Sequence, residues 1–172
     1  MPLIGVSIAV PDPCGPELQR YRVSLGDDEA HLIPTHITLL PPTDLADRHL
    51  DDVVAHLDAA AGSLERFRIH LRGTGTFRPV SPVVFVNVVE GISASELLAK
   101  SVCSGPLEVN LEFPYHPHVT IAHHLSEAQL DQAFEELADF ECEFEVHHFG
   151  LYVHDEERGW TPTHCFALQP GT

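Results

Sequence analysis

A two-lobed α/β (or α+β) domain, one unit used twice about a pseudo-twofold axis, is the fold class this sequence predicts. Three observations carry the prediction. The chain has 172 residues, 44% of them hydrophobic, enough for one core shared by two small lobes and too apolar for wholesale disorder. An order of strand and helix patterns in the first half returns in the second. A His-x-Thr-x tetrad sits on a strand pattern in each half, at His36 and at His118. Residues 1–172 read as a single domain, with halves at about 1–80 and 81–172 that are free to exchange strands.

The elements follow in order. Leu3-Ile-Gly-Val-Ser-Ile-Ala-Val10 reads as a buried strand. Pro11, Pro13 and Pro16 stop it and open a helix through Leu18, Tyr21 and Leu25. Thr35 to Leu40 is the second strand, bounded by Pro34 and by Pro41-Pro42. A helix over about 44–61 places Leu50, Val53, Val54 and Leu57 at helical spacing, with Gly62 as its stop. Phe67 to Leu71 alternates like a half-buried strand, and Pro82 leads into a central strand from Val83 to Val89. Ser93-x-x-Glu96 reads as a capping box that opens a helix to about Ser104. Pro117 to Ala122 is a strand. Ser126-x-x-Gln129 is a second capping box, opening a helix with Leu130, Ala133, Phe134 and Leu137 on one face. Phe144 to Val153 and Cys165 to Leu168 supply the last strands. Leu50 and Leu57 of the first half match Leu130 and Leu137 of the second.

Charge narrows the function classes. The net charge is −17, with nine basic residues in all. Affinity for nucleic acid comes largely from Lys and Arg on phosphates, so a long strand is excluded as the natural ligand. A small phosphate ester or a strand end fits if positive charge is local, and Arg66, Arg68, Arg72 and Arg78 lie close together. The runs Asp27-Asp-Glu29 and Asp155-Glu-Glu157 read as solvated loops. No apolar run reaches the ~18 residues of a membrane span, and the start lacks the basic and small-residue marks of a signal peptide. A soluble, cytoplasmic monomer without a membrane partner is expected. Cys14, Cys103, Cys142 and Cys165 form no Cys-x-x-Cys pair and read as buried thiols of a reducing compartment.

The chemistry resides in the tetrads. Strand side chains alternate between faces, so His36 and Thr38 point the same way, as do His118 and Thr120. Across a pseudo-twofold axis both pairs can line one cleft, where a phosphodiester would meet two imidazoles and two hydroxyls. One neutral imidazole can deprotonate the attacking water or hydroxyl, and the opposing imidazolium can protonate the leaving oxygen. The threonine hydroxyls can donate to non-bridging phosphate oxygens. A single His-x-Thr carries no weight, since a strand histidine is more often structural. Two copies in matching places reverse that balance.

Ile33-Pro-Thr-His-Ile-Thr-Leu-Leu-Pro-Pro42, Phe113-Pro-Tyr-His-Pro-His-Val-Thr-Ile-Ala122 and Gly75-Thr-Phe-Arg-Pro-Val-Ser-Pro-Val-Val-Phe-Val86 resemble the 2H phosphoesterase superfamily, in particular its RNA 2',3'-cyclic phosphodiesterase (2'-5' RNA ligase) group. The resemblance covers nearly the whole chain. It implies a bilobal fold with antiparallel sheets flanking a cleft, and metal-free catalysis by His36, Thr38, His118 and Thr120, without a cofactor. It implies as substrate a small nucleotide or an RNA-terminal cyclic phosphate, and leaves open which histidine is the base.

Several neighbours are candidates for substrate binding. Phe77 and Tyr115 could stack a nucleobase, and Arg78 or Arg72 could bind a terminal phosphate. His116 and His124 share strand parity with His118 unless a bulge intervenes, and could flank the pocket, whereas His123 faces away. Trp160 reads as packing. Two other readings compete. The 13 histidines could build a zinc shell from His116 and His118 together with His123 and His124 or with His147 and His148. No helical or finger spacing supports it, and the paired threonines would go unexplained. The cleft could also bind a phosphorylated metabolite without turning it over.

Overall fold

The computed structural model describes residues 3–45, 49–111 and 114–171. Phe113, in the second family-like stretch, lies outside them, as do residues 46–48 within the helix expected over 44–61. The elements run β1 Leu3–Ala9, α1 Cys14–Leu25, β2 His36–Asp44, α2 Leu50–Gly62, β3 Phe67–Thr76, β4 Val83–Glu90, α3 Ile92–Val102, β5 His118–His123, α4 Glu127–Glu136, β6 Glu141–Val146, β7 His148–Asp155 and β8 Gly159–Ala167. The strands form one eight-stranded sheet in the order β6-β3-β4-β5-β2-β1-β7-β8, with every neighbouring pair antiparallel. Two four-stranded halves thus meet at β5 and β2, through a single pairing of Ile37 with Val119.

Alternation explains which face each half buries. Ile4, Val6 and Ile8 of β1, Ile37 and Leu39 of β2, Val84, Val86 and Val88 of β4, and Val119 and Ile121 of β5 are buried in one core. That core takes the apolar stripes of the helices: Leu18 and Leu25 of α1, Val53 and Leu57 of α2, Leu98 and Val102 of α3, and Leu130 and Ala133 of α4. The intervening side chains of β2 and β5, His36, Thr38, His118 and Thr120, face the other way and stay half-buried. Among the described residues no helix is long and apolar enough to cross a membrane.

The repeat is real for strand-helix-strand and then breaks. β1-α1-β2 and β4-α3-β5 occupy equivalent places, but β3 leaves the first half to pair with β4, and β7 and β8 return to pair beside β1. The helices cross as well: α1 packs on β5 and α3 on β2. The stretch expected as one strand from Phe144 to Val153 is therefore two strands on opposite sides of the sheet, broken at His147. Leu50 and Leu130 are not equivalent either, since Leu50 is exposed in the first turn of α2 and Leu130 is fully buried.

Other boundaries differ for local reasons. β2 runs through Pro41 and Pro42 to Asp44, because a shift in register between Ile4/Thr43 and Val6/Leu40 absorbs residues that cannot donate to the ladder. Helix α2 consequently starts at Leu50, with Asp51 and Asp52 in its first turn. Ser93 does not cap α3. The helix begins at Ile92 after Gly91, whose φ of 96° sets the turn, and a Cβ there would collide with the Arg68 carbonyl. Ser126 does cap α4: its Oγ accepts the Gln129 N–H at 3.2 Å, and Gln129 Oε1 accepts the Ser126 N–H at 3.0 Å.

The cysteines depart from the expected thiols. Cys14 at the start of α1 and Cys142 on β6 are joined as a disulfide, with Cα atoms 6.5 Å apart. Cys103 is half-buried and Cys165 is exposed. Only pairing across the fold brings the first two together, and no spacing along the chain signals it.

Candidate active site

The central pairing sets the site. With Ile37 opposite Val119 in antiparallel register, His36 lies across from Thr120 and Thr38 across from His118. All four side chains line one cavity of about 450 Å³. Its wall continues through Ser7 of β1, Leu40 of β2, Phe77 and Val83 beside β4, Tyr152 of β7 and Trp160 of β8.

Each imidazole is oriented by the same local device. His36 Nδ1 bonds the carbonyl of Pro34, and His118 Nδ1 bonds the carbonyl of His116 at 2.7 Å. A carbonyl only accepts, so Nδ1 carries the hydrogen in both rings and the neutral form presents an Nε2 lone pair. Burial pushes both histidines below the ordinary value of about 6.5. The carbonyl bonds oppose that shift, whereas charge adds to it, from Arg22 at His36 and from His116 and His36 at His118. One base and one acid on a shared anion, with two hydroxyls beside them, is an arrangement suited to proton transfer at phosphorus.

The other expected residues divide. Phe77 lines the cavity, its ring 4.5 Å from Phe85 and edge-on to His118 at 5.0 Å. His116 lies next to His118, with ring centroids 5.6 Å apart, and packs edge-on against Phe77 and Phe85. It is beside the site and not in the cavity wall. Tyr115 does not offer a ring to the cavity. Its hydroxyl donates to the Thr38 carbonyl at 2.7 Å, which fixes β2, and burial pushes its pKa up. Arg78 is committed elsewhere, bonding Asp131 at 2.8 Å and Glu127 at 3.1 Å. Arg68 pairs with Glu143, and Arg72 with Glu141. Three of the four arginines of the expected basic cluster thus hold carboxylates, and none of the four, Arg66 included, lines the cavity. Among the described residues, no three His, Cys, Asp or Glu side chains are grouped as a metal shell would require.

Sequence reasoning missed four lining residues. His123 was expected to face away. Val84 pairs with Ala122 and Phe85 with Thr120, so Ile121 is an extra residue, and this bulge returns His123 to the cavity face. His124, expected to share parity with His118, lies beyond β5 at a positive φ of 55°. Trp160 packs over Gly5 on the cavity wall, where a Cβ would touch the indole at 3.4 Å. Tyr152 lies on the same wall, as does Ser7. Arg22 reaches it from α1. Alternation within β7 could have flagged Tyr152; nothing in the helical pattern flags Arg22.

Comparison with known proteins places the chain in a family and matches its fold. A family model described as the 2'-5' RNA ligase superfamily matches residues 10–158. Proteins of Bacillus thuringiensis (strain Al Hakam) and Bacillus cereus (strain AH187), both named "Putative phosphoesterase", are 31% identical over 147 residues, covering 84% of this chain and 85% of theirs. Among solved structures, TT0787 of Thermus thermophilus superposes with a TM-score of 0.71 at 21% identity, covering 99% of this chain and 100% of that one. E. coli LigT complexed with 3'-AMP superposes with a TM-score of 0.66 at 22% identity, covering 98% and 99%.

Proposed function

Because the chain belongs to the 2'-5' RNA ligase superfamily, we propose that it is a metal-independent phosphodiesterase acting on a 2',3'-cyclic phosphate or a 2'-5' phosphodiester, in a small nucleotide or at an RNA end. The observation that carries this reading is the matched pair His36 and His118, each with Nδ1 tied to a carbonyl two residues back, on one cavity with Thr38 and Thr120.

In the hydrolytic direction, the neutral imidazole of one histidine takes a proton from water as the oxygen attacks phosphorus. The bond from phosphorus to the 2' or 3' oxygen breaks, and the other histidine, entering as imidazolium, protonates that oxygen. The product is a phosphomonoester and a free hydroxyl, and the two histidines exchange protonation states. In transfer, an incoming hydroxyl takes the place of water, the same bond breaks, and the product is a new phosphodiester and a free hydroxyl. Thr38 and Thr120 donate to the non-bridging oxygens as their charge grows. Burial favours the neutral form of both imidazoles, and an entering phosphate anion favours protonation of one of them. The relatives' family name and the nucleotide complexes of E. coli LigT support a nucleotide substrate. All four reacting side chains come from one chain, which supports a monomer as the working unit.

The test is turnover of a panel of 2',3'-cyclic nucleotides, 2'-5' dinucleotides and short RNAs with cyclic phosphate ends, in chelator. Turnover in chelator that is lost in His36→Ala and His118→Ala is expected. Activity that vanishes in chelator and returns only with zinc or manganese overturns the metal-independent mechanism. Binding of every ligand in the panel without turnover of any overturns the enzyme assignment.

A further inference from the structure

Arg22 is a buried cation whose neutralisation the fold leaves incomplete. It lies in the last turn of α1, is 5% exposed, and lines the cavity. Its Nη1 donates to Ile33 O at 2.7 Å, Gln19 Oε1 at 3.0 Å and Thr35 Oγ1 at 3.4 Å. Thr35 Oγ1 in turn donates to Gln19 Oε1 at 2.9 Å, so the group that grips the guanidinium is itself braced. All three acceptors are neutral. Among the described residues no acceptor takes Nε or Nη2, no carboxylate lies within ion-pair distance, and neither nitrogen is among the fully buried atoms without a partner. Asp27 acts on Arg22 only through space, and its Oδ1 accepts the Glu29 N–H.

A buried charge without a contact partner is costly, and the cost is relieved when an anion completes it. Arg68, Arg72 and Arg78 already hold carboxylates, in a chain of net charge −17. Arg22 does not, and among the described residues it is the one Lys or Arg on the cavity wall. Its place is on the His36 flank. It grips the segment Ile33 to Thr35 that leads into His36, and its charge acts on His36 and His123 but is not among those acting on His118. The reacting phosphate has to lie between the two imidazoles.

We propose that Arg22 makes the cavity selective for phosphodiesters that carry a second phosphate anion, held at Nε and Nη2 beside His36. The proposal deepens the phosphodiesterase reading and names its substrate class: a bisphosphorylated nucleotide or a strand end with a neighbouring linkage, not a nucleoside cyclic phosphate alone. The second phosphate is a bound group and takes no part in bond making or breaking. Asp27, on the same wall, opposes it by like charge.

Binding separates this proposal from the catalytic one. Adenosine 3'-monophosphate and adenosine 3',5'-bisphosphate are titrated calorimetrically into the wild type, Arg22→Gln and Asp27→Asn, with circular dichroism reporting folding. At least tenfold tighter binding of the bisphosphate by the wild type is expected. Arg22→Gln should bring the ratio near one, and Asp27→Asn should raise it severalfold, a gain that a folding defect cannot imitate. Equal binding of the two nucleotides by the wild type overturns the proposal, as does a ratio that neither variant moves. A bisphosphate preference dependent on Arg22, in a protein that turns over no phosphodiester, leaves this site standing and removes the enzyme assignment. Turnover through His36 and His118 with no such preference does the reverse. Comparing kcat/KM for a 2',3'-cyclic nucleotide with and without a 5'-phosphate, and for a dinucleotide ending in the cyclic phosphate, then shows whether a monoester or a linkage fills the place.

Discussion

The two tetrads share a backbone plan and differ in everything around it. His36 and His118 sit at equivalent starts of β2 and β5, with Nδ1 tied to the carbonyl two residues before. The flanking strands place Ser7 beside Thr38 and Ala9 beside His36 in one half, but Phe85 beside Thr120 and Asn87 beside His118 in the other. His118 is accordingly surrounded by the rings of Phe77, Phe85 and His116. His36 has Ser7, Tyr152 and the Arg22 guanidinium on its side of the cavity. The two halves present two imidazoles in one tautomer, while their neighbours give one an apolar wall and the other a charged one. On the phosphodiesterase reading proposed above, the symmetric part of the site accounts for the chemistry, while the asymmetric part is where selectivity is set.

The comparison breaks most directly at the histidines. His36→Ala and His118→Ala should each lower turnover by about 10²–10⁴-fold, the usual worth of one acid or base. The double variant should be little worse than either, because a lone partner has no complete mechanism to serve. Near-wild-type turnover in either single variant would show that only one half carries chemistry. Smaller losses are expected from Thr38→Ala and Thr120→Ala, at most about 10²-fold and mainly in kcat, for removal of one donor to the charged oxygens. A large loss from one and none from the other would place the phosphate off the symmetry axis.

Acidity sharpens the comparison further. Both histidines titrate below the usual value, so kcat/KM should follow a bell whose centre lies on the acid side of about 6.5. The same shift bears on stability. The unfolded chain binds protons on these rings at a pH where the folded chain does not, so their contribution is present above about 6.5 and is lost as pH falls through the lowered folded values. Denaturant midpoints measured against pH should fall toward acid, less steeply in His36→Gln than in the wild type. An identical slope would mean that His36 is not held neutral by burial. The smallest effect is Tyr115→Phe, which removes the hydrogen bond to Thr38 and should cost about 1 kcal/mol in thermal or denaturant unfolding. A cost near zero would show that β2 is held without it.

Much of this architecture is legible along the chain, and the failures share a cause. Alternation of Ile4, Val6 and Ile8, and of His36 with Thr38, is local, and it places the core and the tetrads correctly. The capping box at Ser126 is local and is present. Ser93 carries the same pattern but loses to Gly91, whose close approach to Arg68 is a tertiary fact. The bulge at Ile121 belongs to the pairing of β5 with β4, so the turn of His123 into the cavity is invisible in either strand by itself. Arg22 is at a helical position like any other until Ile33 and Thr35 fold back onto it. The exchange of β3, β7 and β8 between halves is a matter of partners, about which the pattern of each strand says nothing.

The bridge between Cys14 and Cys142 spans 128 positions, and both tetrads fall inside the loop it closes. On the chain-entropy view, a closed loop of that length disfavours the denatured ensemble by about 5 kcal/mol. It also makes most of the polypeptide a covalent ring. A protease that cuts once between the two cysteines yields fragments that stay attached, and migrate as one species until a thiol reagent opens the ring. A single cut releases a piece only when it falls in one of the short arms outside the ring. For this molecule, integrity judged by size alone and integrity of the backbone are different measurements.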